Sequence, residues 1–126
     1  QWIKKESIDI SELLGEPFVL REKGSATRDV FESYLKNNTV ISLSRLNVCG
    51  ELGSSEAIKE AVIAGLGVSV ISIHAVTREL ASRLLYEIPI NACRIERKFY
   101  LIYLKSFDVR PHHQTFVNFL KKYKTD

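Results

Sequence analysis

The stretch Gly53-Ser54-Ser55-Glu56-Ala57-Ile58-Lys59-Glu60-Ala61-Val62-Ile63-Ala64-Gly65-Leu66-Gly67-Val68-Ser69-Val70-Ile71 constrains the fold more than any other part of the chain. It writes a capped helix, a two-glycine stop and a β-branched run in direct succession. Ser54 or Ser55 can accept a hydrogen bond from the free N–H groups of a first turn. Glu56 sits where the helix dipole favours a carboxylate. Ile58, Ala61, Val62 and Gly65 fall on one helical face. Gly65 is expected to end that helix and Gly67 to turn the backbone. Val68 to Ile73, rich in β-branched residues, then reads as an inner strand of a sheet covered by helices.

The flanking sequence repeats this alternation. Ile8 to Gly15 reads as a short helical turn closed by glycine, and Pro17 to Glu22 as the first strand. Ser25 is expected to cap a helix to about Asn37, with Val30, Phe31, Tyr34 and Leu35 as its apolar stripe. Leu43 to Leu52 reads as a strand with Leu46, Val48 and Gly50 on one face. His74 to about Leu84 reads as a helix, Leu85 to Ile90 as an edge strand interrupted by Pro89, and Arg97 to Lys105 as a strand apolar on both faces. The last helix is expected from about Arg110 or Pro111 to Tyr123, its stripe being Phe116, Phe119, Leu120 and Tyr123. Strands alternating with helices favour a parallel or mixed sheet with helices on both faces.

At 126 residues the chain is the size of one domain, and a net charge of +3 gives no strong polyanion-binding signature. Lys121-Lys122-Tyr123-Lys124 reads as a solvated helix end that complements the dipole, not as a nucleic-acid contact. Cys49 and Cys93 have neither CxxC spacing nor histidine neighbours, so no disulfide framework or zinc site is expected and a reducing, cytoplasmic location fits. No run approaches the roughly 18 apolar residues of a membrane span, and no signal segment opens the chain, so no membrane partner is expected. The chain begins with Gln1 and contains no methionine, which suggests a piece of a longer product.

Most catalytic chemistry finds no motif. Gly65-Leu66-Gly67 follows a helix instead of a strand, the reverse of a dinucleotide fingerprint, and no phosphate loop, zinc-peptidase or hydrolase-elbow pattern occurs. His112-His113 reads as a solvated helix start, His74 as a cap or packing residue ahead of the alternative that it faces a cleft, and Cys49 as a buried structural thiol. Asn37-Asn38-Thr39 matches a glycosylation acceptor that has no consequence in a cytosolic protein. Arg97 to Tyr103 mixes bases with aromatics but lacks the glycine of RNA-binding strands and reads as core. No metal or cofactor is expected. Gly24-Ser25-Ala26-Thr27-Arg28 remains: it follows a strand and opens a helix, offering free N–H groups, two hydroxyls and a guanidinium. That set suits a carboxylate or sulfate, and the segment reads equally well as an ordinary helix cap.

Glu16-Pro17-Phe18-Val19, Gly24 to Arg28, Ser54 to Val68, Arg97 to Tyr103 and Phe116 to Leu120, in that order, resemble the effector-sensing half of LysR-type bacterial transcription regulators over nearly the whole chain. The resemblance implies an α/β fold like a type 2 periplasmic-binding-protein subdomain, with a mixed sheet and helices on both faces. Residues 1–94 would form the second regulatory subdomain, and 95–126 the return strand and C-terminal helix belonging to the first. It further implies a non-enzymatic sensor that binds a small anionic metabolite in an inter-subdomain cleft and controls a winged helix-turn-helix. Such a sensor works as a homodimer or larger assembly and reaches DNA only through that N-terminal domain. On this resemblance Gly24, Ser25, Ala26 and Thr27 lie on the cleft, with Ile71 and Ser72 at the end of the inner strand. Ser72 stands where a proline is common in the family, which makes the cleft floor more polar. With half a cleft, the chain is expected to bind its effector weakly. Phe99 to Leu104 and the last helix are expected to drive self-association. The rival expectation is a solute-binding component of a transport system, which shares the fold.

Overall fold

The computed structural model describes residues 5–104 and 110–122. Its centre is a parallel pair of strands, β1 (Pro17–Arg21) and β2 (Asn47–Leu52), joined through the helix α1 (Ala26–Asn38). Parallel neighbours need a crossover connection, and α1 supplies it. Successive side chains of a strand point to opposite faces, so β1 serves two cores at once. Phe18 and Leu20 join Phe31 and Leu35 of α1 with Ile8, Leu13, Ile41, Leu43 and Leu46. Val19, wholly buried, meets Ile58 and Ala61 of α2 (Ser55–Ile63) on the other side. The Phe18 and Phe31 rings stack with centroids 5.8 Å apart and planes 12° from parallel.

The register carries one irregularity. Phe18 lies opposite Val48 and Val19 opposite Gly50, which leaves Cys49 as the extra residue of a bulge. Cys49 is therefore exposed, not buried as expected, and its Sγ approaches the carbonyls of Leu66 at 3.3 Å and Phe18 at 3.5 Å.

The two-glycine stretch behaves as its sequence dictates up to Val68. Ser54 caps α2 by accepting from the Ala57 N–H at 3.1 Å. At the other end Gly65 takes φ +80°, Leu66 N–H bonds the Ala61 carbonyl, and Gly65 N–H bonds that of Val62. This pair of bonds is a Schellman stop. Gly67 has a further reason to be glycine: a Cβ there would lie 2.2 Å from the Pro17 carbonyl oxygen. That close approach lets Val68 N–H reach Pro17 O and Val19 N–H reach Val68 O, both at 2.9 Å.

Several expected strands and helices differ. Val68 to Ile73 makes a single parallel bridge to Phe18 and no ladder. Its alternation survives all the same, since Val68 and Val70 pack on the α1 side and Ile71 on the α2 side. Leu43 to Leu52 is not one strand: Leu43–Arg45 forms a 3₁₀ turn before β2. Residues three apart eclipse on a 3₁₀ turn, so Leu43 and Leu46 both enter the core, whereas a strand would have put them on opposite faces. Leu85 to Ile90 contributes only the Ile8–Ile90 bridge, with Ile8 N–H on Pro89 O and Asn91 N–H on Ile8 O.

The helix expected over His74 to Leu84 is split into a 3₁₀ turn at Ile73–Ala75 and α3 (Thr77–Ala81), which ends with Arg83 at φ 59°. Residues 97–104 form no strand, because no neighbouring strand pairs with them among the described residues; Phe99 is 82% and Ile102 89% exposed. In α4 (Pro111–Lys122) the buried residue is Val117, while Phe116 and Phe119 are exposed. Val117 shares a face with His113 and Leu120, four and three residues away, and those two are half-buried. Lys105, Tyr123 and Lys124 lie outside the described residues.

Candidate functional site

At the carboxyl end of β1 and β2, a cavity of about 520 Å³ opens between the starts of two helices. In parallel α/β sheets, ligands sit in crevices outside the carboxyl ends of the strands. Gly24, Ser25, Ala26 and Thr27 line one side, Ser55 of α2 and Ser72 another, with Arg21, Glu22, His74 and Arg97 completing the rim. Five of the six sequence-predicted site residues thus come together. Ile71 does not: it lines a separate apolar cavity of about 310 Å³, together with Ile58, Val62, Leu80 and Ile88.

The turn that builds the rim is set by local chemistry. Ser25 N–H bonds the Glu22 carbonyl at 3.2 Å, and Gly24 between them has φ +86°. That angle suits the third position of a type II turn, which glycine adopts without strain. Ser25 occupies the N-cap of α1 in backbone terms, but its side chain makes no capping bond, contrary to expectation. The residue as a whole is only 7% exposed, yet its hydroxyl is not a buried orphan, since among the described residues no buried side-chain oxygen or nitrogen lacks a partner. The first-turn N–H groups of α1, at the positive end of the helix dipole, receive no capping bond from it.

The guanidiniums divide into engaged and available ones. Arg28, the cation expected at this anion-binding turn, is turned away: it donates to the Arg21 carbonyl at 2.9 Å and to Glu51 Oε2 at 2.7 Å, and it does not line the cavity. Arg21 does line it, held in a fork against Glu22 at 2.7 and 2.9 Å and donating to Ser55 Oγ at 2.9 Å. The hydrogen bonds from Arg21 hold the Glu22 carboxyl below its ordinary pKa, and Glu22 in turn raises that of Arg21. Arg28 does the same to Glu51. Arg97 donates to Thr27 Oγ1 at 3.3 Å and lies over the Phe99 ring at 4.6 Å. Reading the sequence alone missed Arg21, Ser55 and Arg97 as rim residues. Arg21 was legible as the last residue of a strand before a glycine turn, whereas nothing local announces that Arg97 returns to Thr27 across seventy positions.

Among the described residues no group of three or more His, Cys, Asp or Glu could hold a metal ion, and no helix is long and apolar enough to cross a membrane. The cavity offers hydroxyls, N–H groups and cations, the donor set for a small oxyanion.

Comparison with known proteins places the chain in a family. The family model for the LysR substrate binding domain matches residues 1–124. The chain is 33% identical over 118 residues to the HTH-type transcriptional activator CmpR of Synechocystis, covering 94% of this chain and 38% of that protein. It is 35% identical over 117 residues to a RuBisCO operon transcriptional regulator of Acidithiobacillus ferrooxidans, covering 93% and 37%. The chain thus spans under two fifths of the length of these relatives. Among solved structures it is similar to the CcmR regulatory domain of Synechocystis PCC6803 in complex with 2-PG, with a TM-score of 0.73, 34% identity, and coverage of 93% of this chain and 54% of that one. These named relatives are regulators, which favours regulation over transport. This chain belongs to the LysR substrate binding domain family.

Proposed function

We propose that the chain is the effector-sensing part of a LysR-type transcription regulator, taking a small anionic metabolite in the cavity bounded by Gly24, Ser25, Ala26, Thr27 and Ser72. The observation that carries this reading is that Ser25, the N-cap residue of α1, lines the cavity while its hydroxyl makes no capping bond to the first turn of that helix. A similar regulatory domain in complex with 2-PG supports a small-molecule ligand. Ile71, which packs against Val19, Ile58 and Ala61, lies outside that cavity. On this reading residues 1–94 form the second regulatory subdomain, and 95–126 are the return segment and C-terminal helix that belong to the first. The protein is not an enzyme and acts in the cytoplasm as a homodimer or larger assembly, reaching DNA through a winged helix-turn-helix. Effector binding biases the equilibrium between closed and open arrangements and so reports to the DNA-binding module.

The test is electrophoretic retardation of promoter DNA by the full-length protein, with and without 2-phosphoglycolate as a probe anion. Retardation that the anion modulates, and that Ser25→Ala renders insensitive to it, is the expected result. Absence of DNA retardation under all conditions would overturn the regulator reading.

A further inference from the structure

Two guanidiniums line the rim of the cavity, and among the described residues only one of them has no carboxylate partner. Arg21 is forked on Glu22, both of whose oxygens it occupies, and its remaining nitrogen donates to Ser55. Glu22 also lines the cavity, so the Arg21–Glu22 pair presents no net charge there. Arg97 has no carboxylate partner among the described residues; its contacts are the Thr27 hydroxyl and the Phe99 ring. Stacking on the ring orients the guanidinium without neutralising it. Ser25, whose hydroxyl makes no capping bond, lines the same cavity as Arg97.

We propose that Arg97 is the residue that reads ligand charge in this cavity, and that Glu22 is a positioning residue that sets charge preference by neutralising Arg21. This rests on the anion-cavity reading above. The ligand class is a small oxyanion whose carboxylate or phosphate bridges Ser25 Oγ, the first N–H groups of α1 and Arg97. Because Thr27 already holds Arg97, the anion finds the guanidinium in place and ties residues 94–104 to the start of α1. A second anionic group on the same ligand finds Arg21 already neutralised by Glu22, so a doubly charged ligand gains less than two free guanidiniums would give it.

Calorimetric titration of the full-length protein with 2-phosphoglycolate and with glycolate tests this. Arg97→Gln is expected to weaken 2-phosphoglycolate by roughly tenfold or more, the cost of losing a charge-assisted hydrogen bond. Arg97→Lys should recover part of the loss, which separates charge from folding. Glu22→Gln should raise the preference for 2-phosphoglycolate over glycolate, a ratio that a merely structural role would leave unmoved. Unchanged binding in Arg97→Gln alongside weakened binding in Ser25→Ala would overturn the role of Arg97 while leaving the cavity reading intact. Unchanged binding in both would remove the cavity reading and this inference with it. A preference unmoved or lowered by Glu22→Gln would overturn the role of Glu22.

Discussion

Gly67 illustrates how much one missing methyl group decides. Its Cα faces the Pro17 carbonyl so closely that a Cβ would stand 2.2 Å from the oxygen, and the bond from Val68 to that same oxygen depends on the approach. Gly67→Ala must push the 68–73 segment off β1 and is expected to cost about 2 kcal/mol or more of unfolding free energy, measurable by urea denaturation. An unchanged midpoint would contradict the packing described. Gly65 is needed for its positive φ alone, with open space where a Cβ would stand, whereas Gly67 adds the clash to a φ of +157°. Both positions were legible in the sequence as a turn, but only the fold shows which of them contact requires as well as conformation. The same holds for Ser25. Its position before a helix was readable, while the absence of a capping bond from its hydroxyl was not.

Between elements, the most distinctive link is the one from α2 to α3. Lys59, nearly buried, reaches Glu79 of α3 at 2.9 Å and Glu56 of its own helix at 2.8 Å. Lys59 holds the Glu79 carboxyl below its ordinary value of 4.5, chiefly by direct hydrogen bonding. A carboxyl with a depressed folded-state pKa stabilises fully above its unfolded value, and that contribution is lost as pH falls through the folded one. Glu12, Glu22 and Glu51 are lowered in the same direction by Lys5, Arg21 and Arg28. Thermal stability should therefore fall as pH drops below about 4.5, and Glu79→Gln should make that fall shallower. A melting profile in which Glu79→Gln keeps the full acid loss would contradict the α2–α3 link. Helices α1 and α2 were readable because caps, stripes and stops are local signals. A five-residue helix such as α3 carries too few residues to show a period. The expected stripe of α4 followed its bulky aromatics, whereas the burial follows the face of Val117.

Across the whole molecule, the strands were the least legible elements, for a physical reason. A strand exists by its ladder, and apolar alternation alone cannot say whether a partner lies alongside. Pro17–Arg21 finds β2 and becomes a strand, whereas residues 97–104 find none among the described residues and leave Phe99, Tyr100, Ile102 and Leu104 largely exposed. Such a run should drive association in water. Sedimentation velocity of the 126-residue chain at rising concentration is expected to show oligomers, and a strictly monomeric profile would count against it. Gly24 to Arg28 was legible as a strand-to-helix turn rich in donors, whereas the place of Ser72 beside it came from the family resemblance and not from any local signal. Arg97 had no local signal either, since its place on the rim is a long-range contact. The central claim is that this cavity is where the effector binds, and backbone amide shifts of the chain titrated with 2-phosphoglycolate test it most directly. The account predicts that the perturbations centre on Gly24, Ser25, Ala26, Thr27, Ser72 and Arg97. Perturbations centred instead on Ile58, Val62, Leu80 and Ile88, around the apolar cavity, would contradict it.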